Sequence, residues 1–509
     1  MQKCDHSRQS CHRKNNDVVI GSMYQCFLPL PLCWPAIDSN MVSCWVILFV
    51  FVIISVMKSA FVYATLPFGL PTSEGITTSR KTDETPSSLL SDRDFESGNT
   101  GEDYLETDIV IVGGGLVGLA LFIGTARLPD CRVLLIEKRS QYERAGATLG
   151  LAANGVKALN ELASDPTFVQ TNIHPHGFDM MPVEQVPTHI LPWWIVRDAL
   201  LDRAVQLAKA QAQTDNAQES PHRLEMWNGV ELSELDEYDD CVELGFSNVN
   251  VRVRAKLVVA ADGVRSQIRS LLQLKPAEDT GVRVWRGHIQ VMDLKGKNEE
   301  AYRVLEPLLS KGYAPFVVRD PNNPLSYVAV FNHHENIPGL LLWQLGTPSD
   351  DDDTITQFLS EGITDPAQRE VLAALCSHTP NILYTKLRTI NMDHISAQPA
   401  EQQVQGWGGS KRVTLIGDAA HACRPTDGQG ANMAFEDACV LVRLLQQTLE
   451  KDGPAAFLQD IQDLVLRFEN ERRPRVKRIH QDQAERAHKQ GNEWTRWSPE
   501  MMDFVYKGV

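Results

Sequence analysis

The stretch that decides the fold occupies residues 108–118 and reads DIVIVGGGLVG. Its first five residues form a short apolar run that predicts a buried parallel strand, and the following LALFIGTARL predicts a helix. In this strand–turn–helix context Gly113 permits a tight turn, Gly115 lets the backbone approach a pyrophosphate, and Gly118 lets helix and strand pack closely. The helix N-terminus would present free N–H groups to phosphates. The stretch therefore predicts a dinucleotide-binding unit.

A second apolar run, residues 132–136, predicts the neighbouring strand and ends in Glu137, nineteen residues beyond Gly118. A carboxylate at this position can accept hydrogen bonds from a ribose diol, and its charge would repel a 2′-phosphate. The alternative is a solvated acid at a strand end. The correctly placed glycine turn favours the nucleotide-binding role.

Two further segments combine a buried strand with a glycine turn. Residues 257–269 read LVVAADGVRSQIR, and residues 413–421 read VTLIGDAAH before continuing as RPTDGQGAN at 424–432. The dinucleotide turn, the DG motif and the GD motif, in this order, resemble those of class A FAD-dependent monooxygenases of the para-hydroxybenzoate hydroxylase type. The resemblance covers almost all of residues 107–509. Its pattern is closest to salicylate- and urate-hydroxylase-like and zeaxanthin-epoxidase-like members.

The resemblance implies an α/β fold: a Rossmann-like three-layer FAD-binding domain, an inserted substrate domain built on a mostly antiparallel sheet, and C-terminal helices. The predicted divisions are a disordered segment 1–41, an apolar anchor or signal segment 42–64, an acidic Ser/Thr-rich linker 65–106, the first part of the FAD domain 107–275, the substrate domain 276–404, the second part of the FAD domain 405–450, and a C-terminal helical segment 451–509.

The resemblance also implies that FAD is bound. It assigns the ribitol to Asp418, an arginine near FAD at the head of a helix to Arg197, and a backbone contact with adenine to Val230. It implies that the 428–432 loop brings backbone amides and a helix N-terminus to the flavin ring. The predicted FAD contacts are Gly113, Gly115, Leu116, Val117, Gly118, Glu137, Lys138, Arg197, Val230, Asp262, Gly263, Gly417, Asp418, Pro425, Gly428, Gln429, Gly430, Ala431 and Asn432.

Three residues near these motifs need separate interpretation. His421 is expected to be a hydrogen-bonded structural histidine of the cofactor turn rather than a catalytic group. Asp427 stands where the family usually has a small or apolar residue, which predicts an extra acid near the flavin ring. Arg286, on the predicted strand 282–291, is a candidate substrate contact that could pair with a carboxylate or an enolate-like oxygen. Its alternative is a strand arginine paired with a surface acid. No catalytic side chain is assigned, because the resemblance places the chemistry on the flavin.

The resemblance implies that NADH or NADPH reduces the flavin and that O2 then forms a flavin C4a-hydroperoxide. This species would hydroxylate or epoxidise a small aromatic or isoprenoid-like substrate. A single GxGxxG predicts that NAD(P)H binds transiently, without a Rossmann domain of its own. The alternatives are a related flavoprotein reductase or halogenase, or a membrane-tethered flavoprotein with a non-catalytic redox role. Residues 192–195, PWWI, have the wrong order for the W-x-W-x-I-P element of halogenases.

Composition excludes several other classes of protein. Lys and Arg number 49 against 65 Asp and Glu, a formal charge of −16, and no long basic run is present. Nucleic-acid binding is therefore disfavoured. Five of the ten cysteines lie in the first 44 residues and no regular framework follows, which excludes a disulfide-stapled scaffold. Cys4, His6, Cys11 and His12 fit no compact zinc spacing, and no metal is predicted.

Residues 42–57, VSCWVILFVFVIISVM, form an uncharged and mostly apolar run. At ~1.5 Å per residue this run spans ~24 Å, and snorkelling of Lys58 would let a helix extend to Ala64 and approach the ~30 Å of a bilayer core. The run predicts a single-pass membrane anchor. The alternative is a cleaved targeting segment for the secretory pathway or a plastid. The charge bias of residues 1–40 is too small to predict a membrane orientation.

Overall fold

The computed structural model describes the chain from residue 104 onward, with internal gaps. The described residues are 104–142, 144, 148–180, 188–214, 223–310, 316–320, 323–348, 365–392, 407, 411–425, 428–457, 461–486 and 497–508. The predicted anchor at 42–64, most of the predicted linker and Asp427 lie outside the described residues.

The described part of the chain contains strands and helices in mixed order and ends in consecutive helices. The strands are β1 Tyr104–Val112, β2 Val133–Glu137, β3 Thr148–Leu151, β4 Phe178–Met180, β5 Thr188–Pro192, β6 Leu224–Asn228, β7 Leu232–Glu237, β8 Val242–Phe246, β9 Arg252–Ala260, β10 Glu278–Gln290, β11 Phe316–Asp320, β12 Asn323–Asn332, β13 Leu340–Pro348, β14 Leu383–Thr389 and β15 Val413–Leu415. The α-helices are α1 Leu116–Thr125, α2 Ala153–Leu162, α3 Phe168–Asn172, α4 Trp193–Thr214, α5 Gln267–Leu271, α6 Glu299–Leu309, α7 Pro366–His378, α8 Asp418–His421, α9 Gln429–Phe457, α10 Ile461–Arg486 and α11 Pro499–Lys507. Within the described ranges, no helix combines the length and the apolar character needed to cross a bilayer.

The largest sheet has the strand order β6-β2-β1-β9-β8-β7, and β15 also pairs with β9. Strands β6, β2, β1, β9 and β15 run parallel, whereas β7 and β8 run antiparallel to their neighbours. Alternate residues of β1 enter two cores: Ile109 and Ile111 pack in the core that contains α1 and α9, and Val110 and Val112 pack in the core on the opposite face. Burial of both faces explains the continuous apolar run. The predicted three-layer α/β fold is confirmed.

The first strand begins earlier than the sequence predicted. Tyr104 to Glu106 were assigned to the end of the linker 65–106, yet they pair with β9. The Tyr104 hydroxyl donates to Glu243 Oε2 at 3.2 Å, and Arg254 stacks 4.3 Å from the Tyr104 ring while pairing with Glu106 at 3.2 Å. These polar cross-strand contacts hold residues 104–106 in β1, although these residues lack the apolar pattern that predicts a strand.

A second sheet has five antiparallel strands in the order β11-β12-β13-β10-β14, and we call it the substrate sheet. One of its faces packs on α6 and α7 through residues that include Trp285 and Ile289 of β10. Side chains alternate along a strand, so Arg286 and His288 lie on the other face. The predicted antiparallel sheet between 276 and 404 is confirmed, while the exact domain limits stay predictions.

The C-terminal part of the described chain is helical, as predicted. Helix α9 continues to Phe457, so the predicted division at residue 450 falls inside a helix. The pair Gly453-Pro454 usually signals a helix end, but the proline φ is itself compatible with a helix. Helices α9 and α10 pack against the same core as α1.

Candidate active site

The three glycine motifs meet at one edge of the parallel sheet. Val112, Ala260 and Leu415 end β1, β9 and β15 side by side in register. The dinucleotide turn, the DG motif and the GD motif each follow directly from one of these strand ends. Ligands of open α/β sheets bind at the carboxyl ends of the strands, so this edge, which we call the motif edge, is the candidate cofactor site.

The glycines of the dinucleotide turn have different physical roles. Gly113 has a φ of +111°, and a Cβ there would overlap the carbonyl group of Ala261. A Cβ on Gly118 would overlap the carbonyl oxygen of Gly113. Gly115 differs, because among the described residues no atom lies within 4 Å of the position that its Cβ would take. The protein itself therefore requires Gly113 and Gly118, whereas the open space at Gly115 suits a ligand.

Helix α1 begins at this open space with its backbone donors unsatisfied. Gly115 is the N-cap and no side chain caps it, and the first turn contains no acidic residue. The first N–H groups of a helix lack intrahelical partners and carry partial positive charge. Leu116 packs against the core and Val117 is buried, which leaves their backbone for ligand contacts. This geometry fits the diphosphate of FAD.

Glu137 is held against the dinucleotide turn by two backbone donors. Its Oε2 accepts from Gly114 N at 2.8 Å, and its Oε1 accepts from Arg139 N at 2.8 Å. Lone pairs remain on both oxygens for ribose hydroxyls. Lys138 is exposed beside it. The amide of Val230 donates to the Glu137 carbonyl oxygen at 3.0 Å. The backbone contact with adenine that was predicted for Val230 would therefore use the carbonyl oxygen of Val230.

Tyr142 covers the turn and was not found from the sequence. Its hydroxyl donates to the Gly114 carbonyl at 2.7 Å, and the Arg197 guanidinium lies 3.3 Å from the centre of its ring. Arg197 is buried and also pairs with Asp198 at 3.2 Å. Burial and the nearby Glu137 charge raise the pKa of Tyr142 above its usual range, so the ring stays neutral. The predicted FAD arginine thus lies beside the dinucleotide turn rather than on an exposed helix face.

The DG motif presents one carboxylate oxygen without a partner. Asp262 Oδ2 accepts from Gln267 N at 2.7 Å and Ile268 N at 3.2 Å, which caps α5. Its Oδ1 is buried and has no hydrogen-bond partner in the described part of the chain. Burial raises the pKa of Asp262, and the hydrogen bonds around it act in the opposite direction. Gly263 has a φ of +78°, which favours glycine at this turn.

Arg269 connects the DG motif to the GD motif. Its Nη1 donates to the Ala419 carbonyl at 3.1 Å, and its Nε donates to the Lys275 carbonyl at 3.1 Å. The sequence showed only a basic helix start here. No local pattern could have predicted this contact, because Arg269 and Ala419 are 150 residues apart.

The GD motif abuts the start of α1. Gly417 has a φ of +58°, and its Cβ position lies 3.1 Å from the Val117 side chain. The next residue, Asp418, is exposed at the motif edge. Desolvation raises the pKa of Asp418, while the charges of His421 and Arg286 lower it. Arg286 of the substrate sheet is therefore near enough for its charge to act on the predicted ribitol-binding carboxylate.

The side chain of Asn432 hydrogen-bonds to the backbone of the protein itself. Its Nδ2 donates to the carbonyls of Gly150 at 2.9 Å and Gly428 at 2.7 Å, and its Oδ1 accepts from Ala152 N at 3.0 Å. The fully buried side chain ties β3 to the start of α9. Any contact of Asn432 with FAD is therefore expected through its backbone.

The remaining residues of the predicted flavin loop surround the start of α9. Gly428 has a φ of +64°, and the Cβ position of Gly430 lies 3.9 Å from Asp418 Oδ1. Gln429 Oε1 accepts from Asn154 Nδ2, Ala431 packs on the core and Pro425 is exposed. The first turn of α9 has no acidic residue. Its free N–H groups next to Asp418 suit an electron-rich ring.

A buried ion network lies directly behind the GD turn. Asp437 Oδ2 accepts from Gly417 N at 2.8 Å and lies 2.6 Å from His421 Nε2, and Asp437 Oδ1 accepts from Arg472 Nε at 2.7 Å. Arg472 also pairs with Glu436 at 2.9 Å. Burial opposes ionisation of Asp437, but the charges of His421 and Arg472 hold its pKa below the usual range. The hydrogen bond predicted for His421 is confirmed, and its structural rather than catalytic role stays a prediction.

The chain matches the family model described as FAD binding domain over residues 106–483. Among curated relatives it is 26% identical over 390 residues to the FAD-dependent monooxygenase atmM of Aspergillus flavus, covering 74% of this chain and 76% of that protein. It is 24% identical over 404 residues to a salicylate hydroxylase of Pseudomonas putida, covering 74% of this chain and 84% of that protein.

The solved structures show the same fold. The crystal structure of CtdE in complex with FAD and a substrate superposes with a TM-score of 0.58 at 16% identity, covering 79% of this chain and 95% of that chain. At this identity the likeness concerns the fold alone.

Proposed function

Because this chain belongs to the FAD-binding-domain family of flavoprotein monooxygenases, and is therefore an FAD-dependent oxidoreductase, we propose that it uses NAD(P)H and O2 to hydroxylate a small aromatic acid. The observation that supports an aromatic acid as the substrate is the position of Arg286. Its pKa is lowered by burial and raised by the charges of Tyr327 and Asp418. The half-buried guanidinium on the substrate sheet is thus within electrostatic reach of Asp418 at the motif edge.

Arg286 has the chemistry to bind and orient an anion at this place. It lies opposite Gln344 in the register of β10 and β13, on the face not used by α6 and α7. A guanidinium presents several N–H donors in a planar fork that matches a carboxylate. The substrate of the relative named salicylate hydroxylase is such an acid.

Several groups of the chain prepare the site. When bound, FAD supplies the electron transfer and oxygen activation that no side chain provides. The start of α1 and Glu137 would hold the nucleotide part, and Asp418 with the start of α9 would hold the ribitol and the ring. The buried apolar cluster of Trp194, Leu340 and Leu342 lies beside His288 and would keep the neighbouring part of the substrate face dry.

Isotope incorporation tests this function. Purified full-length protein is incubated with FAD, NADH or NADPH, ¹⁸O2 and a panel of benzoates, hydroxybenzoates and hydroxynicotinates. We expect reduced-nucleotide oxidation that is slow alone, accelerates with the true substrate, and yields a product with one ¹⁸O atom. Fast oxidation that is independent of every substrate and forms only peroxide would contradict a monooxygenase and favour an oxidase or reductase.

Replacement of Arg286 tests the anion contact. Arg286→Met is expected to raise the KM for an acidic substrate at least about tenfold, because a charged hydrogen bond contributes about 1.5–3 kcal/mol. FAD content should stay unchanged. Arg286→Lys keeps the positive charge but loses the forked pair of donors, so its KM should lie between those of wild type and Arg286→Met. Steady-state kinetics measure the effect, and an unchanged KM in Arg286→Met would remove this residue from the substrate site.

We further propose that residues 42–64 anchor the enzyme in a membrane. The support is the sequence alone: an uncharged apolar run can be buried in a bilayer while every backbone group stays helix-bonded. Carbonate-resistant pelleting of the full chain is expected, with loss of pelleting when residues 1–64 are deleted. A mature N-terminus mapped between residues 60 and 66 would instead show a cleaved targeting segment, and a full-length soluble protein would contradict both.

A further inference from the structure

His288 occupies a second polar position on the substrate face. It follows Arg286 by two residues on β10 and lies opposite Leu342 in the antiparallel register. Leu342 packs with Trp194 in one apolar cluster, and the rings of His288 and Trp194 lie 5.2 Å apart. Trp194 stands at the beginning of α4, three residues before Arg197. His288 therefore lies where the substrate sheet meets the helix that carries the predicted FAD arginine.

The hydrogen bonds of His288 are incomplete. Its Nδ1 is sealed from solvent and has no hydrogen-bond partner among the residues that the structure describes. Nε2 has no hydrogen bond within the same ranges, yet it is not among the sealed atoms that lack a partner, from which we infer that it is open. Buried N–H donors without partners are rarer than buried acceptors without partners. We therefore assign Nδ1 as the acceptor nitrogen and place the hydrogen on Nε2.

The surroundings keep this imidazole neutral. Protonation would place an unpaired N–H at the sealed Nδ1, and burial lowers the pKa of His288, as does the nearby charge of Arg144. A neutral imidazole with hydrogen on Nε2 is a donor at its open nitrogen. It complements a ligand oxygen rather than a ligand cation.

We propose that the Nε2–H of His288 donates a hydrogen bond to an acceptor oxygen on the substrate, across the ring from the acidic group that Arg286 binds. This inference rests on the proposed function. A strand rises ~3.4 Å per residue, so the two backbone positions lie about 7 Å apart, a separation that suits substituents on opposite sides of one aromatic ring. His288 is thus a specificity-determining residue for aromatic anions with a second oxygen opposite the acid.

Benzoate and 4-hydroxybenzoate are the probes, because they differ by one oxygen across the ring. Their dissociation constants are measured with FAD-loaded full-length protein by flavin absorbance changes and by calorimetry. We expect wild type to bind 4-hydroxybenzoate about tenfold more tightly than benzoate, which is the range of one hydrogen bond. His288→Leu should abolish this preference and leave the benzoate constant and the FAD content unchanged.

Two amide variants separate binding from a structural role. The N–H of glutamine in His288→Gln reaches close to the position of Nε2, whereas the N–H of asparagine in His288→Asn lies near Nδ1. We expect His288→Gln to restore most of the preference and His288→Asn to restore little. Equal losses for both probes in all three variants would indicate a structural role and overturn the proposal.

A measurement without ligand tests the assigned tautomer. In the NMR spectrum of protein labelled with ¹⁵N-histidine, the signal that is missing from His288→Gln identifies His288. The ¹⁵N chemical shifts of its two ring nitrogens are expected to show hydrogen on Nε2 alone. Hydrogen on Nδ1, or failure of wild type to distinguish or bind the two probes, overturns the proposal. Loss of ¹⁸O incorporation with the probe preference intact would contradict only the proposed function.

Discussion

Gly115→Val is expected to fold as wild type does and to purify without its yellow cofactor. Gly115 has an ordinary φ of −75°, and within the described ranges no atom lies within 4 Å of its Cβ position. The added side chain therefore costs the protein about 1 kcal/mol or less, the usual range at an N-cap. It would fill the space in which a diphosphate must approach the N-terminus of α1. FAD affinity should fall at least about tenfold, equivalent to ~1.4 kcal/mol. Flavin absorbance per protein and a thermal melt without added FAD measure the two effects.

Gly118→Val is the matched control in the same turn. Its Cβ would overlap the carbonyl oxygen of Gly113, so helix α1 must move away from β1. Overpacking of this kind costs roughly 1–3 kcal/mol or more. This variant should lose both stability and FAD, whereas Gly115→Val loses FAD alone. Full flavin content in Gly115→Val would show that this helix start does not hold the cofactor.

Local signals made the motif edge predictable from the sequence. Although the carbonyl group that excludes a Cβ at Gly113 belongs to the distant Ala261, the run 108–118 contains its own strand, turn and helix, so the turn could be predicted from these residues alone. The same holds for the turns at Asp262 and Gly417. Parallel strands that end in register then bring the three turns together. The antiparallel substrate sheet was predictable for the same reason, since strand alternation is a local pattern.

Contacts between distant segments were not predictable. Tyr142 had no signature, because a tyrosine after a strand is common and its role depends on Gly114 and Arg197. Asn432 was predicted to contact the flavin through the backbone of the 428–432 loop, and that pattern gave no sign that its side chain satisfies backbone groups 280 or more residues away. The apolar pattern also did not predict a strand at Tyr104, where polar cross-strand pairs extend β1. In each case the partner that decides the role is far away in the sequence.

Arg472→Met is expected to cause the largest loss of stability. Arg472 on α10 is fully buried and bonds to Asp437 and Glu436, so its removal leaves two buried carboxylates without this cation. Breaking a buried ion network from one side costs about 3–5 kcal/mol. Asp437 also accepts from Gly417 N, so the turn before Asp418 should loosen and FAD retention should fall. Chemical unfolding with flavin release measures both effects.

Arg467→Met supplies the control on the same helix. Arg467 pairs with Asp463 at 3.8 Å, and both side chains are about half exposed. Exposed pairs contribute about 0–1 kcal/mol, so this variant should unfold almost as wild type does and keep its FAD. Similar unfolding of both variants would show that Asp437 and Glu436 become neutral when Arg472 is lost. In that case the GD turn would depend on the hydrogen bond from Gly417 rather than on the charge of Arg472.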